Sequence, residues 1–186
     1  MQDARSRAGA ARSPQGYTLI ELLATVAVAA VLAAWAVPSF GAFSRNAART
    51  REVNQFVQAV YLARSEAIKR NGVVSLCPSR DALSCTLEGR SVGAWIVFVN
   101  RDRDSPAMRD AGEPLLRAYE RWDAGHISSN RTTLSFRPFG QAGVTATVTF
   151  CDDRGAAAAR AVIISQTGRP RVSGRNASGG ALTCGT

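Results

Sequence analysis

Lysine and histidine are almost absent from this chain of 186 residues. Lys69 is the only lysine among 23 basic residues, and His126 is the only histidine. No Gly-rich segment precedes Lys69, so the sequence has no Walker-type phosphate loop. A single histidine also excludes metal sites built from several histidines. These absences argue against a nucleotide-driven motor and against a histidine-ligated metal enzyme.

Basic charge dominates the rest of the composition. The 23 Lys and Arg residues outnumber 14 Asp and Glu residues, which gives a formal net charge of +9. This balance favours an acidic partner, either nucleic acid or anionic lipid, without choosing between them. A hydrophobic content of 46% is enough for the core of one domain with a short additional element.

A long apolar run lies near the N-terminus. Residues 17–37 contain one charged side chain, Glu21, and at about 1.5 Å per residue they just span a hydrocarbon core of about 30 Å. Residues 1–16 carry three arginines and show no apolar periodicity, so the positive-inside rule places them in the cytoplasm. The sequence therefore predicts a membrane-spanning helix over residues 17–37, with everything after Pro38 on the other side.

A cleaved secretory signal peptide is the alternative interpretation, because residues 34–36 (Ala-Trp-Ala) resemble a cleavage site. Two features oppose it. An unpaired Glu21 carboxylate in lipid costs a few kcal/mol, and a signal peptide has no use for it. The helical pattern also continues past this site, because apolar residues recur every three or four positions from Phe40 to Ile68.

The continuation forms an amphipathic segment over residues 38–71. Pro38 marks its junction with the apolar run. The helix is predicted to reach Arg70 and to stop at Asn71-Gly72, because Gly72 accepts the left-handed conformation of a helix end.

Beyond residue 72 the apolar pattern changes to a period of two. Short segments rich in β-branched and aromatic residues are separated by Gly, Pro, Asn and Asp. These segments are residues 73–77, 94–100, 115–119, 133–137, 145–151 and 160–165. The predicted fold is α+β, in which the helix face from about Phe43 to Ile68 packs on an antiparallel β domain formed by residues 72–186.

The segment GYTLIELL, residues 16–23, resembles the type IV prepilin signature, with Tyr17 in place of the commoner Phe. Residues 59–77, 93–102, 122–125, 134–140 and 168–171 extend the resemblance to the GspH/FimT family of minor pilins and pseudopilins. The resemblance covers nearly the whole chain and implies a type IV pilin-like fold. It also implies that prepilin peptidase removes residues 1–16 as a leader, cutting after Gly16, and methylates the new N-terminus at Tyr17.

Glu21 becomes the fifth residue of the mature chain in this interpretation. The resemblance implies a role in assembly with other major and minor pilins. A carboxylate buried in lipid needs a cation, and the amine of Tyr17 in an adjacent subunit would supply it. The alternative is a Glu21 side chain that reaches the lipid headgroups.

Four cysteines in an exported chain favour two disulfides. Proximity along the chain favours Cys77 with Cys85 and Cys151 with Cys184, although four cysteines allow three connectivities. A zinc site built from all four is the alternative, disfavoured because the sequence has no C-x2-C pair.

No metal, cofactor or enzymatic activity is expected. Oxygen-bearing residues alternate between Asn100 and Glu113 as in an EF-hand loop, but Ser105 and Ala111 stand where calcium loops need Gly and Glu. A solvated turn is the favoured interpretation. His126 lies in a predicted loop without an obvious partner, and paired cysteines cannot act as nucleophiles.

Residues 154–186, here called the basic tail, contain five arginines and no acidic residue. The arginines are Arg154, Arg160, Arg169, Arg171 and Arg175, and the Gly and Ser content of the segment is typical of a mobile loop. Pro170 favours extended backbone, which puts Arg169 and Arg171 on one side about 6.6 Å apart, within reach of successive phosphates.

Gly168-Arg169-Pro170-Arg171 resembles the GRxR tail of FimT-type pilins, which implies DNA binding during natural transformation. Such binding contacts the backbone and ignores the base sequence. The alternatives are a solvated surface, or pairing with acidic groups of neighbouring pilins.

Two functions therefore remain open. The first is a minor type IV pilin, held in the inner membrane with its C-terminal domain in the periplasm and later incorporated into a pilus at the cell surface, where the basic tail captures DNA. The second is a structural minor pilin or type II secretion pseudopilin that primes fibre assembly without binding DNA.

Overall fold

The computed structural model describes residues 16–87, 94–139, 142 and 145–185, except for the side chains of residues 37–39. The predicted leader, residues 1–16, lies outside this range apart from Gly16. The chain divides into two units after Ala42, and each unit is described by itself.

Helix α1 (Leu19–Arg70) is assigned without a break through the predicted membrane and amphipathic segments. Its buried positions recur every three or four residues: Val53, Phe56, Val60, Ala63 and Ala67. The predicted face was too long, because Phe40, Phe43 and Ile68 are exposed. The buried apolar positions run only from Val53 to Ala67, and Ile68 is rotated by about 100° from its buried neighbour.

The C-terminal end of α1 is a Schellman turn at the predicted place. The amide of Gly72 donates to the carbonyl of Ala67 at 3.1 Å, and the amide of Asn71 donates to the carbonyl of Ile68 at 3.2 Å. Asn71, not Gly72, takes the left-handed conformation, with a φ of 49°. Asparagine adopts this region more readily than other side-chain-bearing residues.

Eight strands follow α1 in the described part of the chain. They are β1 (Val73–Ser79), β2 (Ala94–Asn100), β3 (Leu115–Tyr119), β4 (Gly125–Ser129), β5 (Leu134–Phe136), β6 (Ala146–Asp152), β7 (Arg160–Ile164) and β8 (Pro170–Ser173). They form two antiparallel sheets, in the orders β3-β2-β1-β5 and β4-β6-β7-β8. The α+β prediction is confirmed, and six strands lie where the alternating pattern predicted them.

Strands β4 and β8 were not predicted. β4 begins with Gly125, where a Cβ atom would lie 2.4 Å from the carbonyl oxygen of Cys151 and 2.6 Å from the ring of Trp122. A glycine that is typical of a loop is required here by close packing. β8 begins with Pro170, which an edge strand tolerates because one side of its backbone has no ladder to join.

The core lies between α1 and the inner faces of both sheets. Phe56 of α1 meets Trp95 of β2 with ring centroids 5.1 Å apart, and Phe150 of β6 at 5.7 Å, both edge to face. One helix residue therefore contacts both sheets. The core holds the two sheets in place, and the candidate site lies at their edges.

The basic tail is folded, which corrects the prediction of a mobile loop. Leu182 is buried against the outer face of β7, and Cys184 is bonded to Cys151. Between β8 and these anchors, the amide of Gly180 donates to the side chain of Asn176 at 2.8 Å. The Gly and Ser residues of this segment serve hydrogen-bonded turns.

Candidate functional site

Gly16 and Tyr17 precede the first turn of α1, where Thr18 is the N-cap residue. The amide of Glu21 donates to Thr18 Oγ1 at 3.3 Å, and the amide of Thr18 donates to the Glu21 carboxylate at 3.4 Å. This reciprocal pair is a capping box. The capping box was not predicted, although Thr-x-x-Glu is its signature in the sequence. Glu21 therefore has a partner within its own chain.

The first half of α1 carries an exposed apolar surface. Residues 16–36 are all exposed, including Leu19 at 78% and Trp35 at 79%. The helix is long and apolar enough to cross a membrane. An apolar surface of this extent is typical of a segment that lipid or a partner protein covers.

Both predicted disulfides are present. Cys77 is bonded to Cys85 and Cys151 to Cys184, so the zinc alternative is wrong. His126 lies in β4, opposite Cys151, and not in a loop as predicted. Its ring is close to Cys151 and Cys184, but their sulfurs are bonded to each other and offer no thiolate.

Arg154 is engaged within the chain. Its Nε and Nη2 atoms donate to the two carboxylate oxygens of Asp152 at 3.0 and 2.5 Å, and its Nη1 donates to Asn46 at 2.9 Å. Arg49 of α1 lies 3.5 Å from the Asp152 carboxylate and donates to the carbonyl of Ala158. This cluster joins α1 to the end of β6.

The charges of the cluster depend on one another. Hydrogen bonds from Arg154 lower the pKa of Asp152 below its usual value, against the opposing effect of burial. The same bonds raise the pKa of Arg154. Burial, followed by the charge of Arg154, lowers the pKa of Arg49. Asp152 is therefore ionised at neutral pH, and Arg154 is committed to it.

The other tail arginines do not form one patch. Arg160 begins β7, and the alternation of side chains puts it on the opposite face from Ile163. Arg171 of β8 pairs with Ile163 and so lies on the other face from Arg160. Arg175 donates its Nη1 to the carbonyl of Gly179 at 3.0 Å, which braces the C-terminal turn.

Arg169 and Arg171 lie on the β7–β8 hairpin at the free edge of the second sheet. The amide of Gly168 donates to the carbonyl of Ser165 at 2.8 Å, and its φ of 74° is in the left-handed region. The amide of Ser165 donates to the carbonyl of Arg169 at 3.1 Å, so strand pairing resumes directly after the turn. The glycine of the Gly-Arg-Pro-Arg segment is thus a turn residue.

The guanidinium groups of Arg169 and Arg171 have no partner within the part of the chain that the structure describes, and both residues are exposed. Residues two positions apart along a strand project from the same face, about 6.6 Å apart. Of the five predicted arginines, these two are therefore the neighbouring pair whose guanidinium groups are free in the described residues.

A long N-terminal helix packed on antiparallel sheets is the architecture of type IV pilins. A family profile described as "Prokaryotic N-terminal methylation motif" matches residues 11–37, which include Gly16, Tyr17 and Glu21. Fold and motif together define the class as type IV pilins and pseudopilins, and the apolar start of α1 fits membrane anchoring and a place in a pilus. The profile described as "Type II transport protein GspH" matches residues 52–168, and the chain belongs to this family. Its members are structural proteins that associate with other pilins.

Solved structures agree on the fold. Two crystal structures of the type IV minor pilin FimU from Pseudomonas aeruginosa (strain PAO1) are similar to this chain at 17% identity, with TM-scores of 0.52 and 0.54. The matches cover 72% and 75% of this chain and 96% of the FimU chain. No match was found among curated proteins.

Proposed function

We propose that this protein is a minor type IV pilin whose pilus binds extracellular DNA for uptake in natural transformation. Residues 17–37 anchor it in the inner membrane as a single-pass protein, with residues 72–186 in the periplasm before assembly. Prepilin peptidase cuts after Gly16 and methylates Tyr17. Arg169 and Arg171 make the central contacts with DNA.

The observation that carries the DNA proposal is the pair of unpartnered guanidinium groups on the β7–β8 hairpin. Guanidinium forks match phosphate oxygens in a bidentate manner, and the spacing of Arg169 and Arg171 suits neighbouring phosphates. Residues 154–186 contain no aromatic side chain for base stacking. Binding at the hairpin therefore depends on the backbone of the nucleic acid and not on its sequence.

The assembly proposal rests on the first turn of α1. Glu21 lies in an otherwise apolar segment and is held there by Thr18. Removal of the leader gives Tyr17 a free amino group. In the fibre, this amino group lies next to the Glu21 carboxylate of a neighbouring pilin subunit. The resulting ion pair stabilises the packing of apolar helices in the fibre.

The test uses the full chain in a nonionic detergent. We expect the double change Arg169→Gln and Arg171→Gln to weaken binding of two unrelated duplexes to the same extent. Each lost phosphate contact should lower the slope of log affinity against log salt by about 0.9. Fluorescence anisotropy over a series of salt concentrations measures both quantities. Thermal stability should change little, because exposed arginines contribute little to folding.

A matched control removes the same charge elsewhere. Lys69 and Arg121 have side chains that are 77% and 79% exposed and lie outside the hairpin. The double change Lys69→Gln and Arg121→Gln should leave DNA affinity near that of the wild type. A wild-type chain that binds no DNA at low salt contradicts the DNA proposal, and equal losses in both double variants contradict the assignment to the hairpin.

The second candidate is a structural minor pilin or a type II secretion pseudopilin that primes fibre assembly. The match to the family described as "Type II transport protein GspH" favours it. This function uses Glu21 and the N-terminal helix and needs no free arginines. It remains if the binding experiment finds no DNA affinity.

A further inference from the structure

A pocket of about 510 Å³ at the free edge of the first sheet contains two more arginines. Arg103 lines the pocket from the loop after β2, and Arg137, which directly follows β5, also lines it. Thr133 and Ser135 add hydroxyl groups to its wall. No carboxylate is paired with either arginine in the described ranges. We call this feature the two-arginine pocket.

The acidic group at the pocket is already satisfied by its own loop. One carboxylate oxygen of Asp104 accepts from Asn100 Nδ2 at 2.9 Å, and the other accepts from the amide of Met108 at 2.8 Å. Asp104 therefore braces the loop, and in the described ranges it forms no ion pair with Arg103 or Arg137, so both guanidinium groups are open to another anion.

The loop holds Arg103 in a backbone conformation that side-chain-bearing residues rarely adopt. Its φ is 62°, and its amide donates to Asn100 Oδ1 at 2.6 Å. Asn100 is 1% exposed, and its Nδ2 also donates to Ser75 Oγ at 3.2 Å, which lies 2.7 Å from Ser135 Oγ. Unusual backbone of this kind is concentrated at functional sites, where the surrounding structure holds it in place.

The pocket adjoins the hairpin of the proposed DNA contact. The amide of Ala142, which lines the pocket, donates to the carbonyl of Gln166 at 3.3 Å. Gln166 lies in the β7–β8 turn, three positions before Arg169. The wall of the pocket is therefore hydrogen-bonded to the turn that precedes Arg169 and Arg171.

An exposed aromatic residue directly follows the pocket lining in the chain, two positions after Arg137. Phe139 is 86% exposed and follows Pro138, which lines the pocket. An exposed aromatic ring beside cationic groups is the arrangement on which single-stranded nucleic acids stack their bases. A duplex keeps its bases stacked inside and cannot use such a ring.

We propose that the two-arginine pocket is a second phosphate-binding subsite for a single strand of nucleic acid, with Phe139 as its stacking platform. The strand continues from Arg169 and Arg171, across the Ala142–Gln166 contact, to Arg137 and Arg103. This inference rests on the proposed DNA-binding function and adds to it a preference for unpaired bases.

The experiment uses the full chain in nonionic detergent with a labelled oligonucleotide, once as a single strand and once annealed to its complement. Phe139→Leu should weaken single-strand binding about tenfold and leave duplex binding within about twofold, because it removes the stacking surface alone. The double change Arg103→Gln and Arg137→Gln should lower the single-strand salt slope by about 0.7 for each lost contact. Because Phe139 is exposed, its substitution leaves the core intact, so the test stands even if the arginine variant fails to fold.

The outcomes separate this inference from the function on which it rests. If Arg169→Gln with Arg171→Gln weakens binding while the pocket variants behave like Lys69→Gln with Arg121→Gln, the second subsite is refuted and the DNA proposal stands. An equal loss on single strand and duplex from Phe139→Leu also refutes the stacking role. A wild type that binds neither form overturns both proposals.

Discussion

At the scale of single residues, the Asp152 carboxylate forms ion pairs with two arginine side chains, Arg49 and Arg154. Its side chain is 3% exposed, and that of Arg49 is 6% exposed. Asp152→Asn leaves the buried guanidinium of Arg49 without a carboxylate, and such a loss costs about 3 kcal/mol or more of unfolding free energy. Denaturant titration of the full chain in detergent, followed by tryptophan fluorescence, measures this change. The neighbouring variant Asp153→Asn is the control. The Asp153 side chain is 68% exposed, and its ion pair with Arg45 is long, at 3.9 Å, so its loss should cost little stability.

The same carboxylate gives stability a pH dependence. The folded pKa of Asp152 is below its usual value of 3.8. Its contribution is therefore complete above about pH 4 and is lost as the pH falls towards the folded pKa, because the unfolded chain takes up the proton first. We expect the unfolding free energy of the wild type to fall more steeply below pH 4 than that of Asp152→Asn. Parallel curves would show that the ion pair does not control this transition.

A pair of substitutions can separate the observed capping contact of Glu21 from its proposed ion pair in the fibre. Glu21→Gln keeps the capping box, since a glutamine oxygen also accepts from the Thr18 amide, but removes the charge. Glu21→Ala removes both. We expect each variant to insert into the membrane at least as well as the wild type, because a charge leaves the lipid. Both should be missing from sheared pili, as measured by immunoblotting, and wild-type levels of Glu21→Gln in the fibre would leave capping as the role of this residue.

At the scale of elements, the two disulfides close chain segments of very different length. Cys151 and Cys184 are 33 positions apart, and Cys77 and Cys85 are 8 apart. The chain-entropy relation gives about 4 kcal/mol for the longer segment and about 2.5 kcal/mol for the shorter. Replacing both cysteines of a pair by serine, followed by denaturant titration, should therefore destabilise the Cys151–Cys184 variant more. The reverse order would indicate that strain or residual structure outweighs loop entropy.

The helix α1 could be predicted between Val53 and Ala67, because burial on one face leaves a period in the residues. Six strands were predicted from short β-branched and aromatic runs between turn residues, although β1, β2, β6 and β7 are buried along nearly their whole length. Prediction from such local patterns has a limit. It fails for β4 and β8, where close packing requires Gly125 and an edge position tolerates Pro170. Tertiary contacts explain why Gly125 and Pro170 occur in strands, and such contacts leave no pattern in the neighbouring sequence.

The candidate site was also predicted only in part. The charge count of the basic tail began at Arg154 and so left out Asp152, two positions earlier, which binds that arginine. Arg49 joins the same cluster from 103 positions away. Ion pairs of this kind depend on how strands meet helices, and this information is absent from the order of charges along the chain.

At the scale of the whole molecule, the basic residues fall into two groups according to where the fold places them. Arg49 and Arg154 pair with Asp152 at the junction of α1 and β6, whereas the arginines at the two sheet edges form no ion pair within the described residues. The hydrogen bond from Ala142 to Gln166 joins the segment after β5 to the β7–β8 turn, although the two are far apart in sequence. The proposed role of Arg103 and Arg137 rests on this contact and on the lack of a paired carboxylate in the described ranges.

Removal of the leader would change the charge of the molecule as a whole. Residues 1–16 carry three arginines and one aspartate: Arg5, Arg7, Arg12 and Asp3. The basic count would fall from 23 to 20 and the acidic count from 14 to 13, so the formal net charge would change from +9 to +7. The mature protein then presents its positive charge mainly on the β domain and the second half of α1.

We expect the mature chain to begin at a methylated Tyr17, with Gly16→Ala tolerated and Gly16→Leu blocked. A Cβ atom at Gly16 would meet nothing within 4 Å, so the chain itself accepts a side chain there. A block by leucine would therefore arise in the peptidase, which must bring the backbone close to its catalytic groups. Intact-mass measurement of the membrane-extracted protein gives the cleavage point directly. A mature N-terminus at Val37 would contradict prepilin processing and support the signal-peptide alternative, because it would place the cut after Ala36.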